Sequence, residues 1–350
     1  MILDIYQIII MQMAYKDKVL ISRSHQMLHK VVIIDGFPGC GKTMLSPIIS
    51  SMDNVEIMQY APLIEQMCEL YGLNSIEEDI AKSMIKMNAD LLIYNVMMGR
   101  NSNCRPSDLS SIFRHNFLLH LKRMISKGDE YIPDLILKKR PILQLTTHML
   151  LPHAKLLMDT FGQKLAFIEV IRHPLYVILQ QELNLRKIGD DGDSRMQHIR
   201  YRFNNNEYEF YCKNREKDYD EANSFERAIY SIQWYYSKIF LDQNKDILVI
   251  PFEKFVIDPS QYMTLLTKML GQDITNKVTK EMKKQKVPRS QLSDGPALDI
   301  YKRCGWTPPQ FYSEEKELLA RREVVLKNVS PKALAILDDI SNKYSAKYLN

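Results

Sequence analysis

The chain has 350 residues, of which 45% are hydrophobic, and a formal net charge of +5. That length supports a sizeable buried core, in one large α/β domain or two smaller ones. The near-balanced charge fits an anionic ligand and does not argue for nucleic acid. The five cysteines are scattered without a C-x-x-C pair, and neither they nor the eight histidines show zinc-site spacing. This excludes a disulfide framework as the organising device and points to reduced thiols in a cytoplasmic setting.

The segment from Met1 to Met13 is apolar but is interrupted by Asp4, Gln7 and Gln12. It is too short to span a bilayer and lacks the basic start and small-residue cleavage site of a secretory leader. Residues 1–29 therefore read as an N-terminal extension, with a membrane anchor as the weaker alternative. No membrane span is expected. The rest, 30–350, reads as one α/β domain with helical inserts over about 61–138 and 180–242.

The organising stretch runs from Val31 to Thr43. Val31 to Ile34 is an apolar strand run ending at Asp35. Gly36-Phe37-Pro38-Gly39-Cys40-Gly41-Lys42-Thr43 then fits the phosphate-loop pattern G-x-x-x-x-G-K-[ST] in full. Glycine at 36, 39 and 41 lets the backbone turn its N–H groups around an anion with no Cβ in the way. The helix starting near Lys42 adds the positive end of its dipole. Lys42 supplies a point charge for terminal phosphoryl or sulfuryl oxygens, and Thr43 a hydroxyl or N–H beside it.

Thr43 to Ser51 reads as the helix after the loop, and Val55 to Tyr60 as a second strand. From Ala61 to Lys138 apolar residues recur at helical steps, as in Ile64, Met67, Cys68, Tyr71 and then Ile80, Met84, Met87, Leu91. A polar loop from Gly99 to Asp108 carries Arg100 and Arg105. It is either an anion contact or a solvated connection, and Ser107 or Asp108 is a candidate cap for the next helix. Pro141 to Thr146 predicts a strand, Pro152 to Phe161 a helix, and Lys164 to Ile171 a central strand ending at Arg172-His173-Pro174. Ligands of open α/β sheets bind beyond the carboxyl ends of strands. The phosphate loop, His148 and Arg172 each follow an apolar strand run, which places all three on one sheet edge.

Leu175 to Leu185 predicts a helix, and Gly189 to Asp193 a turn whose spacing does not match a calcium loop. The charged and aromatic segment from Arg195 to Arg227 reads either as a mobile cover over the site or as a solvated helical insert. Phe225 to Asp242 predicts a helix and Asp246 to Pro251 a buried strand. Asp258-Pro259 opens a helix that Gly271 closes. Lys280 to Arg289 reads as a solvated basic face. Two amphipathic helices start near Ser313 and near Ser330-Pro331.

A phosphate loop by itself says only that the ligand is a polyphosphate or phosphosulfate. Nucleotide hydrolases and kinases also end a strand in a carboxylate that holds Mg²⁺, and neither Glu169 nor Glu253 reads as a clean one. Three later segments resemble the sulfotransferases that use 3′-phosphoadenosine 5′-phosphosulfate. Thr146 to Pro152 is similar to their K-T-H-x-P-x-x-x-L-P segment. Ile168 to Val177 is similar to V-x-R-[ND]-P-x-D-V, and Ile250 to Gly271 to Y-E-D-L-x-x-D-P followed by F-L-G. Lys302-Arg303-Cys304-Gly305-Trp306 faintly resembles a late R-K-G-x-x-G-D-W segment. The resemblance spans the loop to Trp306.

By that resemblance His148 is the general base, and Lys42 with Thr43 holds the 5′-phosphosulfate. Arg172 and Gln180 bind the 3′-phosphate, and Lys302 and Arg303 are further cofactor-binding residues. It implies a phosphate-loop fold of three α/β/α layers with a mostly parallel sheet, no resident metal, and sulfuryl transfer to a hydroxyl or amine on a small-molecule or carbohydrate acceptor. The chain departs from the family where its catalytic lysine falls, a place occupied here by Gly39. Lys42 stands instead at the nucleotide-kinase position, so an ATP- or GTP-dependent phosphate-loop kinase or NTPase using Mg²⁺ is the alternative, and a non-catalytic nucleotide-binding protein a third. Gln180 replaces a serine, and Tyr176-Val177 the family's D-V.

Overall fold

The computed structural model describes residues 19–187, 198–241, 244–294, 304–306 and 313–350. β1 (Lys30–Asp35) runs into the glycine loop and α1 (Lys42–Ser50). The short β2 (Gln59–Tyr60) leads to α2 (Pro62–Gly72), α3 (Glu78–Met98), α4 (Phe117–Met124) and α5 (Tyr131–Lys139). Then come β3 (Ile142–Thr146), α6 (Ala154–Phe161), β4 (Leu165–Ile171) and α7 (Pro174–Leu185). A hairpin of β5 (Arg200–Phe203) and β6 (Asn206–Glu209) and the short α8 (Glu216–Asp220) precede α9 (Ser224–Leu241). β7 (Ile247–Pro251) continues into α10 (Phe252–Ile257), α11 (Ser260–Leu270) and α12 (Asn276–Lys284). α13 (Glu314–Leu326) and α14 (Pro331–Tyr344) follow, and a π-helical turn over Ser345–Leu349 ends the described chain.

Five strands form one sheet in the order β2-β3-β1-β4-β7, and every neighbouring pair is parallel. The strand sequences explain this. β1, β3, β4 and β7 are near-continuous runs of branched aliphatic residues, the composition of strands covered on both faces. Val31 and Ile33 of β1 enter one apolar cluster and Val32 and Ile34 the other, so the sheet lies between two helical layers. The α/β fold expected from the sequence is the one observed. β1 departs towards β2 and β3 while β4 departs towards β7, so the switch point falls between the carboxyl ends of β1 and β4. The glycine loop and Arg172 sit at those two ends.

Local boundaries follow identifiable chemistry. Asp258 accepts from the Ser260 N–H and hydroxyl at 3.1 and 2.7 Å, and Gly271 closes α11 at φ 67°. Ser313 and Ser330 accept from the Lys316 and Ala333 amides and start the last two helices.

Four expectations need correction. Only Gln59 and Tyr60 of the Val55–Tyr60 run pair with β3 as a strand, and Val55 makes an isolated bridge to Ile142. Between them Glu56 takes both Nη atoms of Arg123 at 2.7 Å, committing that stretch to α4. Asn116, not Ser107 or Asp108, caps α4 by accepting from Leu119, while the Asp108 carboxylate closes its own turn on Ser110. The described part of 195–227 is an antiparallel hairpin with a short helix, not a helical insert. The basic run does not end on a solvated face, because Arg289 is buried against Phe252. The predicted turn at 189–193, the apolar start of the chain, and Lys302 and Arg303 lie outside the described residues. Among the described residues no helix is long and apolar enough to cross a membrane.

Candidate active site

The glycine loop is a tight cradle. Gly36, Gly39 and Gly41 have φ of 144°, 86° and 109°. A Cβ at Gly36 would lie 2.3 Å from the Val170 carbonyl oxygen, and one at Gly41 would lie 2.3 Å from Cδ2 of Phe252. One at Gly39 would lie 2.8 Å from Oε1 of Gln180. Glycine is therefore required by both conformation and close approach. Phe37 turns its ring into the core against Tyr235 and Tyr236, and its carbonyl stays in the loop. Pro38 is half-buried, and burial pushes the Cys40 thiol up to about 11, which keeps it protonated.

Lys42, 5% exposed, folds its ammonium back onto the loop and donates to the Gly36 and Phe37 carbonyls at 2.5 and 3.1 Å. The N-terminus of α1 has no side-chain cap and no acidic residue in its first turn, and Thr43 there is exposed. Uncapped amides, a helix dipole and an ammonium together suit an oxyanion. The residues present fit a phosphosulfate or polyphosphate end.

Arg172 leaves the end of β4 and donates from Nη1 to the Gly39 carbonyl at 3.3 Å. Its guanidinium lies between two rings, 4.7 Å from the centroid of Tyr176 and 4.3 Å from that of Phe252. The stack continues on both sides. Arg321 lies 4.9 Å from the Tyr176 centroid and 4.5 Å from that of Trp306, and Arg289 lies 5.4 Å from that of Phe252. The order is Trp306, Arg321, Tyr176, Arg172, Phe252, Arg289. Each contact between a buried guanidinium and a ring contributes about 1–2 kcal/mol. Tyr236 donates its hydroxyl to the Arg172 carbonyl, and Glu253 accepts from the His173 amide and from Tyr344. Arg172 and Gln180 thus both lie beside Gly39.

His148 follows β3. Its backbone N–H and its Nδ1 both approach Oε1 of Glu65 on α2, at 2.7 and 3.1 Å. A carboxylate accepts, so Nδ1 carries the hydrogen and Nε2 keeps a lone pair. Burial lowers the affinity of this ring for a proton and the nearby Lys42 ammonium lowers it further, against the pull of Glu65. The ring is thus held towards its neutral form beside a cation.

The turn after His148 is held from below. Met149 is buried in the left-handed region at φ 58°, a strained conformation for such a residue. Asp35, the residue before the loop, accepts from Thr147 Oγ1 at 2.9 Å and from the Leu150 and Leu151 amides at 2.6 and 3.0 Å. Asp35 therefore fixes the glycine loop and the histidine turn relative to each other. Tyr235 bridges Asp35 and Glu169 with its hydroxyl. Burial first, and then the Asp35 charge, push the Glu169 carboxyl well above the usual carboxylate range, so it stays neutral.

The sequence reading missed Glu65, Glu69, His198, Asp35 and the arginines on either side of Arg172. One signal was available. Glu65 and Glu69 are four apart on the same helical face as Ile64 and Cys68, so two acids sit on a buried stripe. The Arg100 of the polar loop is engaged elsewhere, by Asp129 and the Tyr94 ring. His153, half-buried with a pKa lowered to about 4 by desolvation, packs against Gly72. Among the described residues no group of three or more His, Cys, Asp or Glu side chains could hold a metal ion.

No family model and no curated protein matches the chain. Among solved structures it is similar to the sulfotransferase domain of the olefin synthase from Synechococcus PCC 7002, at 13% identity and a TM-score of 0.44, covering 94% of this chain and 98% of that one. It is also similar to a sulfotransferase domain from the curacin biosynthetic pathway, at 12% identity and a TM-score of 0.40, over 88% of this chain and 100% of that one. A third similarity is to sulfotransferase STF9 from Mycobacterium avium, at 12% identity and a TM-score of 0.37, over 87% and 78% of the two chains.

Proposed function

We propose that this chain transfers a sulfuryl group from 3′-phosphoadenosine 5′-phosphosulfate to a hydroxyl or amine on a small-molecule or carbohydrate acceptor. The observation that carries the reading is Arg172, seated on the Gly39 carbonyl between two aromatic faces at the same sheet edge as Lys42. A donor with anionic groups at both ends of one nucleoside needs two cationic seats. Lys42, Thr43 and the α1 amides suit the 5′ end, and Arg172 with Gln180 suits the 3′-phosphate. Lys302 and Arg303 remain candidate cofactor-binding residues.

In this reading His148 takes the acceptor proton on Nε2 as the acceptor atom attacks sulfur. Glu65 holds the ring in the required tautomer and steadies the imidazolium that forms. Lys42 and the loop amides stabilise charge on the transferring group and on the departing phosphate. The lysine and threonine spacing also favours a second reading, a kinase or NTPase acting on ATP or GTP with Mg²⁺. Against it, Asp35 already accepts from four donors, which leaves it no ready metal carboxylate.

Thermal unfolding separates the two. 3′-Phosphoadenosine 5′-phosphate at about 100 times its dissociation constant stabilises the fold by about 2.7 kcal/mol, and a rise in melting temperature with that ligand is expected. A rise seen only with ATP plus Mg²⁺ favours the kinase reading, and no rise with either overturns both. His148→Ala should abolish turnover and leave the ligand-induced rise intact.

A further inference from the structure

His148 has a twin. One helical turn from Glu65, Glu69 accepts from Nδ1 of His198 at 2.5 Å, and its other oxygen takes the Ile199 amide at 2.7 Å. Both glutamates are buried on the same face of α2. The two imidazoles stand perpendicular with centroids 6.4 Å apart. Their side chains are 33% and 27% exposed, so both reach solvent. Each ring turns Nδ1 towards α2, which leaves each Nε2 on the side away from that helix.

We propose that the acceptor is a hydroxyl, not an amine, and that its oxygen sits between Nε2 of His148 and Nε2 of His198, an inference that rests on His148 being the base of the transfer. An oxygen hydrogen-bonded at about 2.8 Å to both Nε2 atoms lies about 4 Å from each ring centre. Rings 6.4 Å apart then subtend about 105° at that oxygen, close to the tetrahedral angle at which a hydroxyl offers its hydrogen and lone pairs. The two rings differ in proton content. Burial pulls His198 down, but the hydrogen bond and charge of Glu69, helped by Glu65 and Glu209, lift it above the ordinary histidine value. The imidazole packed edge-on against it is His148, whose own affinity for a proton is lowered. Between the lowered pKa of His148 and the raised one of His198, His198 presents an N–H at Nε2 and His148 a lone pair.

A hydroxyl satisfies both rings and still reacts. Its hydrogen points to His148, one lone pair accepts from His198, and the second lone pair is free for sulfur. As the new O–S bond forms, the proton moves to His148 Nε2. The bond from sulfur to the bridging oxygen of the 5′-phosphate breaks, and its electron pair leaves with that phosphate. The products are a sulfate ester, adenosine 3′,5′-bisphosphate and a protonated His148. A primary amine has one lone pair, which the attack consumes. The His198 N–H then meets either that lone pair or an opposing N–H. His198 is a specificity-determining residue, discriminating on the acceptor's reacting atom.

The test is nitrogen NMR of histidine-labelled protein loaded with 3′-phosphoadenosine 5′-phosphate, titrated with phenol and with aniline. Phenol should shift the Nε2 resonances of both rings, and aniline that of His148 at most. In His198→Gln, whose amide N–H can replace the imidazole donor, phenol should still bind within about threefold of the parent affinity. In His198→Leu the preference for phenol over aniline should fall at least tenfold. A phenol response at only one ring, an equal response of both rings to aniline, or an unchanged preference in His198→Leu overturns the hydroxyl assignment alone. Failure of the bisphosphate itself to bind, read first as no rise in melting temperature, removes the donor reading and this inference together.

Discussion

Asp35 is where a single substitution tests the architecture of the site without reference to any ligand. Its carboxylate is fully buried, and Oδ2 alone accepts from the Leu150 amide, the Leu151 amide and the Tyr235 hydroxyl at 2.6, 3.0 and 3.1 Å. Asp35→Ala strands two buried amides at about 1–3 kcal/mol each. It also leaves the buried Thr147 hydroxyl without its acceptor at a similar cost, while release of Met149 from the left-handed region returns about 1–2 kcal/mol. Tyr235 keeps a second partner in Glu169, so its hydroxyl adds little. The expected loss is about 4–5 kcal/mol.

Asp35→Asn is nearly isosteric. Its carbonyl oxygen can take the place of Oδ2, and its NH₂ can donate to the Thr147 hydroxyl. Only the charge assistance to three bonds is lost, about 2–3 kcal/mol in all. For a chain of this length the unfolding entropy is roughly 0.7 kcal/mol per degree, so the two variants should melt about 6–7 °C and 3–4 °C below the parent. Calorimetry gives the melting points, and amide hydrogen exchange at Leu150 and Leu151 reports the turn directly. An Asp35→Ala variant within about 1 kcal/mol of the parent, or an Asn variant as damaged as the Ala variant, refutes the role given to this carboxylate.

Three further outcomes are expected. Gly41→Ala places a Cβ 2.3 Å from Phe252 at a φ of 109°, so either Phe252 or the loop must shift; binding of 3′-phosphoadenosine 5′-phosphate, measured by titration calorimetry, should weaken at least tenfold. Arg172→Lys retains the charge but loses the flat group between Tyr176 and Phe252, and the same titration should show a 10- to 100-fold loss, with an unchanged affinity counting against the stack. His120 and His173 are buried with pKa values of about 4, both lowered first by desolvation and then by a neighbouring charge or ring. A folded-state pKa below the unfolded value of 6.5 means that stability is present above pH 6.5 and is lost as the pH falls towards 4. Each ring contributes roughly 3 kcal/mol to that loss, so denaturant midpoints should fall steeply over that window and less steeply in His120→Gln.

Most of the frame was legible because it is local. The strands at 30, 142, 165 and 247 announce themselves as unbroken branched runs, and Ser313, Ser330 and Gly271 mark helix ends through contacts two to four residues away. Lys42 and Arg172 were readable because each follows such a run. What the sequence hid is what depends on distant partners. Glu65 meets His148 across 83 positions, and Asp35 meets Leu150 across 115. The hairpin after residue 198 hid for another reason. Arg200, Arg202, Glu207 and Glu209 face one another across two strands as ion pairs, so the pairing is written in charge and not in apolar alternation.

The stack through Arg172 shows how the C-terminal helices enter the site without touching the loop. The Arg172 and Arg321 guanidiniums lie 4.7 and 4.9 Å from the Tyr176 centroid, so they are within about 10 Å of each other, a repulsion of roughly 1.7 kcal/mol at an effective dielectric of 20. The chain offsets it away from the glycine loop. Glu317, one turn before Arg321 on α13, accepts from both Nε and Nη2 of that arginine at 2.9 and 2.7 Å. Arg321 can then pack as a flat, buried group on Tyr176 and Trp306. Tyr344 of α14 does the equivalent on the other side, donating to the Glu253 carboxylate that also accepts from the amide of His173. Arg172 is thus oriented from its ring faces and from its following residue, while Nη1 stays on the Gly39 carbonyl. The cationic seat beside the glycine loop is in that sense a property of residues more than 140 positions downstream of it.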